Sequence, residues 1–586
     1  MEVRPRRAAL VLGALTLALG GLLGRTAFLQ SAGATAAEYA ERQHDATATL
    51  AARRGSIFDA RGQLLAANVT AQDAFVDPKF FLEQNPDPAD RDAAIDALAE
   101  ILLVDPLTLA QKIGRRPDAR FVVIAEHLAE DQRRAIADIG IKGIGLSDSP
   151  RRLYPAGSLA AHVLGSVGSD GNGLEGIELA RDGTLHGTPG KTRQVLDARR
   201  RPLLLAAADL TPPHHGRHLV LTLDANIQRI VEEELAATCR EHNAKTGQAV
   251  VMDPRTGDIV ALAVWPSYDP SAPGDVQTDL RRNRAIVDPY EPGSVLKPFI
   301  VAAAIDDGLT TPAEVWPING ATWRTSYGRT ITDVYGYHNL NTWDVVVKSS
   351  NVGMSMLGNR MGNDGLHDAL GDFGFGQRGG LGLPGEGAGM VLPLRRWTKY
   401  STESISQGYE MLATPLQLVR AVSAIANNGW LPTPRVVKGT LDENGGLMPE
   451  PSKPMRQAVS PEAAAWLRRI MADVPVRGTG KKARSDTYHF FGKTGTAHQA
   501  VDGKYDEEHY AASFVGGGPY EAPRLTIALV VHEPDKSVAH FGGIVAAPTA
   551  GRILERSLAY LEVPPSQELP EYPADVKRQL HGMRSQ

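Results

Sequence analysis

Glu291 to Pro298 reads EPGSVLKP, with Ser294 and Lys297 three positions apart ahead of an Ala-rich apolar run. A serine hydroxyl is a weak nucleophile until a base takes its proton, and an amine one helical turn away is a base once it is neutral. So short a pattern recurs by accident in 586 residues, although Ser294 is the one serine followed three positions later by lysine. Ser349-Ser350-Asn351 is the one Ser-x-Asn step, a type more often found as a loop or helix cap. Lys493-Thr494-Gly495-Thr496 comes third, and offers an ammonium, hydroxyls and a glycine for close backbone approach. Gly492-Lys493-Thr494 imitates a phosphate loop, but Thr487 stands where that motif requires glycine, so the nucleotide reading fails. Lys245-Thr246-Gly247 is an internal control: a second Lys-Thr-Gly ahead of Ser294, reading as a helix that ends at Gly247. The information therefore lies in the order of the three motifs, with the last one on a strand.

The elements that must hold these residues follow from the patterning. QAVVMDPRTGDIVALAVW predicts two strands joined by a turn, and YAASFVGGG and LTIALVVHEP predict further strands near the end. A long amphipathic helix follows the strand predicted over Leu219 to Leu223, and APTAGRILERSLAYL predicts a closing helix. A hairpin followed by Ser294 and an apolar helix implies a mixed α/β (α+β) domain with an antiparallel sheet. Pro292 and Gly293 suit the approach to a helix start, whereas Pro298 disfavours α geometry at Lys297 and implies an irregular first turn. Upstream, GSIFDARGQLLAANVTAQDAFVD alternates like strands with turns at Gly55 and Gly62, Pro86 to Ile139 reads as mostly helical, and Leu153 to Arg201 is turn-rich. Residues 216–562 are expected to form the catalytic domain, 26–215 a separate N-terminal region, and 563–586 a Pro-rich, charged tail, partly ordered and partly flexible.

Composition narrows the class. A net charge of −5 gives no basic face for nucleic acid, and a hydrophobic fraction of 42% is that of a folded chain. Cys239 is the single cysteine, which excludes an intramolecular disulfide and makes packing its expected role. His214, His215 and His218 cluster at a domain boundary and read as a solvated linker; no metal site and no cofactor is expected. At the N-terminus, Arg4, Arg6 and Arg7 precede an uncharged run from Ala8 to Gly24, at the short end of what spans a bilayer. Basic flanks stay cytoplasmic, so the body of the chain would lie outside the cytoplasm. A cleaved signal peptide is the alternative, with Ala34-Thr35-Ala36 as its small-residue site, but that site lies well past the apolar run and favours a retained anchor over residues 1–25.

The ordered triple is shared by penicillin-binding proteins and class A β-lactamases. With YEPGSVLKP, KSSNVG, LGLPGEGAG, ATPLQLVRAVSAIANNG, GKTGTA, YAASFVG and GGIVAAP in that order, the chain resembles the class B penicillin-binding proteins, monofunctional peptidoglycan transpeptidases. RRGSIFDARGQLLA and GLEGIELARDGTLHGTPG resemble that family's elongated α+β N-terminal pedestal. The resemblance implies a penicillin-binding/serine β-lactamase-like transpeptidase fold and an acyl-enzyme mechanism. Ser294 would attack the penultimate D-Ala carbonyl of a stem peptide, with Lys297 as base, Ser349 relaying a proton and Asn351 holding the substrate amide and Lys297. Lys493, Thr494, Gly495 and Thr496 would seat the terminal carboxylate, and the N–H groups of Ser294 and Thr496 would form the oxyanion hole. Lys297 must then lose several units from a free value of about 10.4, with burial and the charge of Lys493 both pushing that way. The implied partners are the D-Ala-D-Ala donor peptide, an amine acceptor, β-lactams, the inner membrane, a membrane glycosyltransferase and other division proteins. SSN and KTGT look more like septal than elongation enzymes, which more often carry aspartate at the position of Asn351; Ser406 departs from the glycine common in relatives. A D,D-carboxypeptidase or β-lactamase on the same fold, an elongation-type enzyme, and a non-enzymatic scaffold in a division complex with the site retained as a sensor are the alternatives.

Overall fold

The computed structural model describes residues 5–196, 202–203, 210–501 and 504–582. Arg4 of the basic flank, the end of the turn-rich stretch at 197–201 and the last four residues of the tail lie outside them. The chain divides into two compact units, Met1–Arg54 with His186–Gly216, and Gly55–Leu185 with Arg217–Gln586.

In the first unit one helix runs from Pro5 to His44, longer than the apolar run from Ala8 to Gly24 suggests. Leu, Phe and Ala continue past the single charge of Arg25, so the stretch long and apolar enough to cross a membrane is Ala9–Gln30. The strand Asp45–Leu50 follows, antiparallel to Gly190–Leu196, which also pairs with Pro202–Leu203 and Leu210–Thr211. His215 accepts a backbone N–H from Arg53 through Nδ1 at 3.1 Å.

The second unit is built around a five-stranded antiparallel sheet in the order Ile259–Trp265, Thr246–Met252, Leu525–His532, Lys504–Gly518, Phe491–Val501. Leu525–His532 is apolar nearly throughout because both of its faces are covered. One face packs on the helices Ala225–Glu241 and Ala546–Tyr560, the other on a larger core that includes Pro415–Ala426 and the helix Lys297–Asp306. Phe491–Val501, which carries Lys493 to Thr496, is the edge strand, so alternate N–H and C=O groups face away from the sheet. Ala225–Glu241 starts at Asp224, whose carboxylate accepts the N–H groups of Asn226 (3.0 Å) and Ile227 (3.2 Å).

Three local expectations are corrected. The first Lys-Thr-Gly does not end a helix: the helix stops at Glu241, and Thr246 and Gly247 already open a strand. Gly247 is required there by packing, since a Cβ would lie 2.5 Å from the Cys239 sulfur. Lys297 is α-helical (φ −51°, ψ −43°), because Pro298 falls in the first helical turn, where its missing N–H has no partner to lose. The irregularity is one turn earlier, a 3-10 turn over Gly293–Leu296. Gly55 is a close-approach residue rather than a turn, as a Cβ would stand 2.0 Å from the carbonyl oxygen of Arg217.

The N-terminal part of this unit has the strands Ile57–Phe58, Leu64–Val76 and Ile144–Leu153, with a turn at Gly62 (φ 88°). The stretch expected to be mostly helical gives Pro88–Leu102, Pro106–Gly114 and Glu130–Asp138, interrupted by the strand Val122–Ala125. Ile57–Phe58 runs parallel to Leu219–Leu221, so one sheet links this part to the segment after residue 216. His218 Nδ1 accepts the N–H of Ser56 at 2.8 Å. Within the tail Ala574–Gly582 is a helix with Val576 buried.

Candidate active site

Ser294 sits in the 3-10 turn that leads directly into the buried helix of Lys297, and residues i and i+3 of such a turn eclipse one another. Two glycines shape its approach. Gly293 takes φ 58° and donates its N–H to the carbonyl of Gly408 at 3.0 Å. Gly408 takes φ 92°, and a Cβ on it would lie 2.0 Å from the Gly293 oxygen. Ser406, the departure noted above, is buried against Gly358 and donates to the Glu403 carbonyl at 3.1 Å.

Ser349 and Ser350 form the whole junction between the helices Thr342–Lys348 and Asn351–Asp372. Ser349 closes the first helix in the left-handed region (φ 63°), an uncommon conformation for serine that costs about 1 kcal/mol or more. Ser350 caps the second, its Oγ accepting the Gly353 N–H at 2.9 Å. This turn brings Ser349 and Asn351 onto Lys297. The Lys297 ammonium, with no exposure to solvent, donates to the Ser349 carbonyl (2.8 Å), to Asn351 Oδ1 (2.7 Å) and to Ser349 Oγ (3.3 Å).

Burial lowers the pKa of Lys297 from 10.5 to about 7, and the carboxylate of Asp333 works against that shift. The charge of Lys493, expected from the sequence to help, is felt in the other direction. Lys493 is itself fully buried and falls well below the ordinary lysine value, through burial first and the neighbouring Lys297 second. A neutral Lys297 keeps two N–H bonds, which the two short contacts satisfy, and a lone pair left for a hydroxyl proton.

The edge strand lies against the turn that carries Ser294. Lys493 Nζ donates to the Thr494 carbonyl at 3.0 Å, and Thr494 Oγ1 pairs with Thr479 Oγ1 at 2.5 Å. Gly495 is pressed against the nucleophile segment: a Cβ there would stand 2.9 Å from Val295 Cγ1 and 3.1 Å from the Pro292 oxygen. Thr496 Oγ1 accepts the Gly542 N–H at 3.0 Å. The Lys297 bonds thus join the first motif to the second, and the approach of Gly495 to Pro292 and Val295 joins the third to the turn of Ser294.

Asp333 was not visible as a site residue. It lies on the strand Thr330–Asn341, accepts Ser350 Oγ at 2.6 Å and the Val352 N–H at 3.1 Å, and also bonds the Asn351 N–H. Nothing in ITDVYGYH marks this aspartate, since its role arises from where the hairpin Val315–Asn341 folds back. Gly542 had a signal in GGIVAAP, as a Cβ on it would be 2.1 Å from the Gly495 carbonyl.

The arrangement can activate a serine by a buried neutral amine beside an edge strand that offers N–H groups. Residues 247–555 match the penicillin binding protein transpeptidase domain, and 49–221 the penicillin-binding protein dimerisation domain. The chain is 32% identical to the probable peptidoglycan D,D-transpeptidase PenA of Neisseria meningitidis, over 96% of this chain and 94% of the relative. It is 31% identical to the peptidoglycan D,D-transpeptidase FtsI of Escherichia coli K12, over 95% and 92%. Among solved structures, penicillin binding protein 3 of Mycobacterium tuberculosis complexed with aztreonam superposes with a TM-score of 0.69 at 29% identity, covering 90% of this chain and 100% of that one.

Proposed function

The chain belongs to the class B penicillin-binding proteins, and from that premise we propose that Ser294 is the nucleophile through which it cross-links peptidoglycan. It is a serine-type peptidoglycan D,D-transpeptidase, and its family binds β-lactams covalently. The observation that carries the assignment of residues is the solvent-free Lys297, held by Ser349 and Asn351 with its pKa drawn down to about 7. Neutral Lys297 takes the proton of Ser294 as its Oγ attacks the penultimate D-Ala carbonyl, and the N–H groups of Ser294 and Thr496 receive the developing oxyanion. Ser349 delivers a proton to the leaving D-Ala amine, Asn351 holds the substrate amide, and Lys493, Thr494, Gly495 and Thr496 form the seat for the terminal carboxylate. An amine of a neighbouring stem peptide then displaces Ser294. A β-lactam enters the same way and stays, because no amine resolves it.

The N-terminal helix anchors the chain in the inner membrane, the region up to residue 215 forms the pedestal, 216–562 the extracytoplasmic transpeptidase domain, and the tail follows. The apolar helix Ala9–Gln30 supports this placement. The likeness to FtsI and the SSN motif support a septal role beside a membrane glycosyltransferase. Labelling with a fluorescent penicillin tests the reading: the wild type should hold label for minutes, and Ser294→Ala should take up none. Equal labelling of both proteins would overturn the assignment, and label lost within seconds would favour a hydrolase.

A further inference from the structure

A cavity of about 540 Å³ that the mechanism above does not use opens beside the nucleophile segment. One wall is Asp288 to Glu291, ending three residues before Ser294; another is His498 and Gln499, which continue the motif strand past Thr496. One residue past the first wall, the Pro292 carbonyl lies close to Gly495 on the motif strand. Most charges lining the cavity are paired. Arg284 bonds Asp288 at 2.7 Å and Asp279 at 2.5 Å, and Lys245 bonds Glu533 at 2.8 Å.

Glu291 is different. Its Oε1 accepts the Glu410 N–H at 2.9 Å and the Tyr505 hydroxyl at 3.0 Å, and among the described residues no lysine or arginine pairs with it. Burial first, and the like charge of Glu410 after it, hold its carboxyl above the usual range. A partly buried carboxylate with only neutral donors is a seat that a cation would complete. Arg284 and Lys245 also line the cavity, but each already holds a carboxylate. The charge left open there is that of Glu291, which suits an ammonium.

We propose that this cavity receives the acceptor strand, with Glu291 drawing in the ammonium of the acceptor beside the acylated Ser294. The inference rests on the transpeptidase reading and adds to it where the second substrate binds. The ammonium loses one proton to water before reacting. The amine nitrogen attacks the acyl carbonyl, the C–N bond forms as the C–Oγ bond breaks, and the second amine proton passes through Lys297 to Ser294 Oγ.

The test is the partition of the acyl-enzyme, because this ratio does not depend on how fast the acyl-enzyme forms. Full-length protein in detergent would be given a benzoyl-D-alanyl thioester of mercaptoacetate as donor and D-alanine as acceptor. Mercaptoacetate carries no amine, so an effect cannot come from a seat for the leaving group. Glu291→Gln keeps an oxygen for Tyr505 and Glu410 but removes the charge, and the ratio of aminolysis to hydrolysis should fall about tenfold, the usual effect of losing one charge-assisted contact. Glu291→Asp should restore part of it. A ratio in Glu291→Gln within about twofold of wild type would overturn the inference and leave the transpeptidase reading intact. A wild type that forms no acyl-enzyme would overturn both. Should Glu291→Gln fail to fold, Leu412→Lys, which adds a cation at the cavity wall, should lower the same ratio; an unchanged ratio there would equally refute the seat.

Discussion

If Lys297 is the base, the rate at which penicillin acylates Ser294 must follow the neutral fraction of its amine. Burial brings that amine to about 7, so about half of it is neutral at pH 7 and about 3% at pH 5.5. The second-order rate constant for acylation should therefore rise about thirtyfold from pH 5.5 to a plateau near pH 9, with its midpoint near 7. Asp333 supplies the second half of the test. Its negative charge opposes the effect of burial on Lys297, so Asp333→Asn should move the midpoint to lower pH. The asparagine keeps one oxygen for the Asn351 and Val352 N–H groups but gives up the charge that meets the N-terminus of the helix Asn351–Asp372. Stability should fall by about 2–3 kcal/mol for a hydrogen-bonded carboxylate of this kind. Timed labelling with a fluorescent penicillin between pH 5.5 and 9 reads both midpoints. A flat profile, or a midpoint that moves upward in Asp333→Asn, would refute the reasoning.

Gly408→Ala forces a Cβ to within 2.0 Å of the Gly293 oxygen at φ 92°, which should cost about 2–4 kcal/mol; penicillin labelling should drop at least about tenfold in protein whose circular dichroism is preserved, and a wild-type rate would contradict it. Tyr572 of the tail stacks edge-on to Trp343 at 5.7 Å, lies 4.9 Å from the Arg469 guanidinium and donates to Asp473 at 3.1 Å. Tyr572→Ala should lose about 2–4 kcal/mol in urea unfolding and Tyr572→Phe only about 1; equal losses would place the effect in the hydroxyl alone. Cys239 is buried, with its thiol pushed up to about 12. It should resist an aromatic disulfide reagent in the native protein and react once urea unfolds it, and rapid native reaction would show that the helix Ala225–Glu241 is not packed as described.

The elements that hold the site were legible where one physical pattern dominates. The apolar runs of Thr246–Met252 and Leu525–His532 are strands covered on both faces, and the amphipathic pattern after Leu223 is the helix Ala225–Glu241. Errors arose where two local preferences competed. Pro298 does disfavour an α conformation before it, but as a first-turn residue it is also well suited to start a helix, and buried packing from Lys297 to Ala304 decides in favour of the helix. Lys245-Thr246-Gly247 satisfies the composition of a helix end, yet the contact of Gly247 with Cys239 needs a strand at that point. Asp333 was illegible for another reason. Its partners stand 17 to 19 positions away in sequence, and only the fold of the hairpin brings them together.

That geometry explains how a lysine can lie near a carboxylate and still serve as a base. A carboxylate bonded directly to Lys297 would favour the ammonium and hold the lone pair unavailable. Asp333 instead turns its oxygens to the Ser350 hydroxyl and to the N–H groups at the start of the helix Asn351–Asp372, while Lys297 is bonded only to neutral oxygens of Ser349 and Asn351. The helix terminus thus answers the charge of Asp333, and the same aspartate fixes the turn that aims Ser349 and Asn351 at the lysine. Lys493 shows the converse effect, since it is fully buried and the neighbouring Lys297 adds to burial in disfavouring its charge. Neutrality at Lys297 comes from burial, and a serine and lysine three residues apart become a nucleophile and its base only when the surrounding elements close over them.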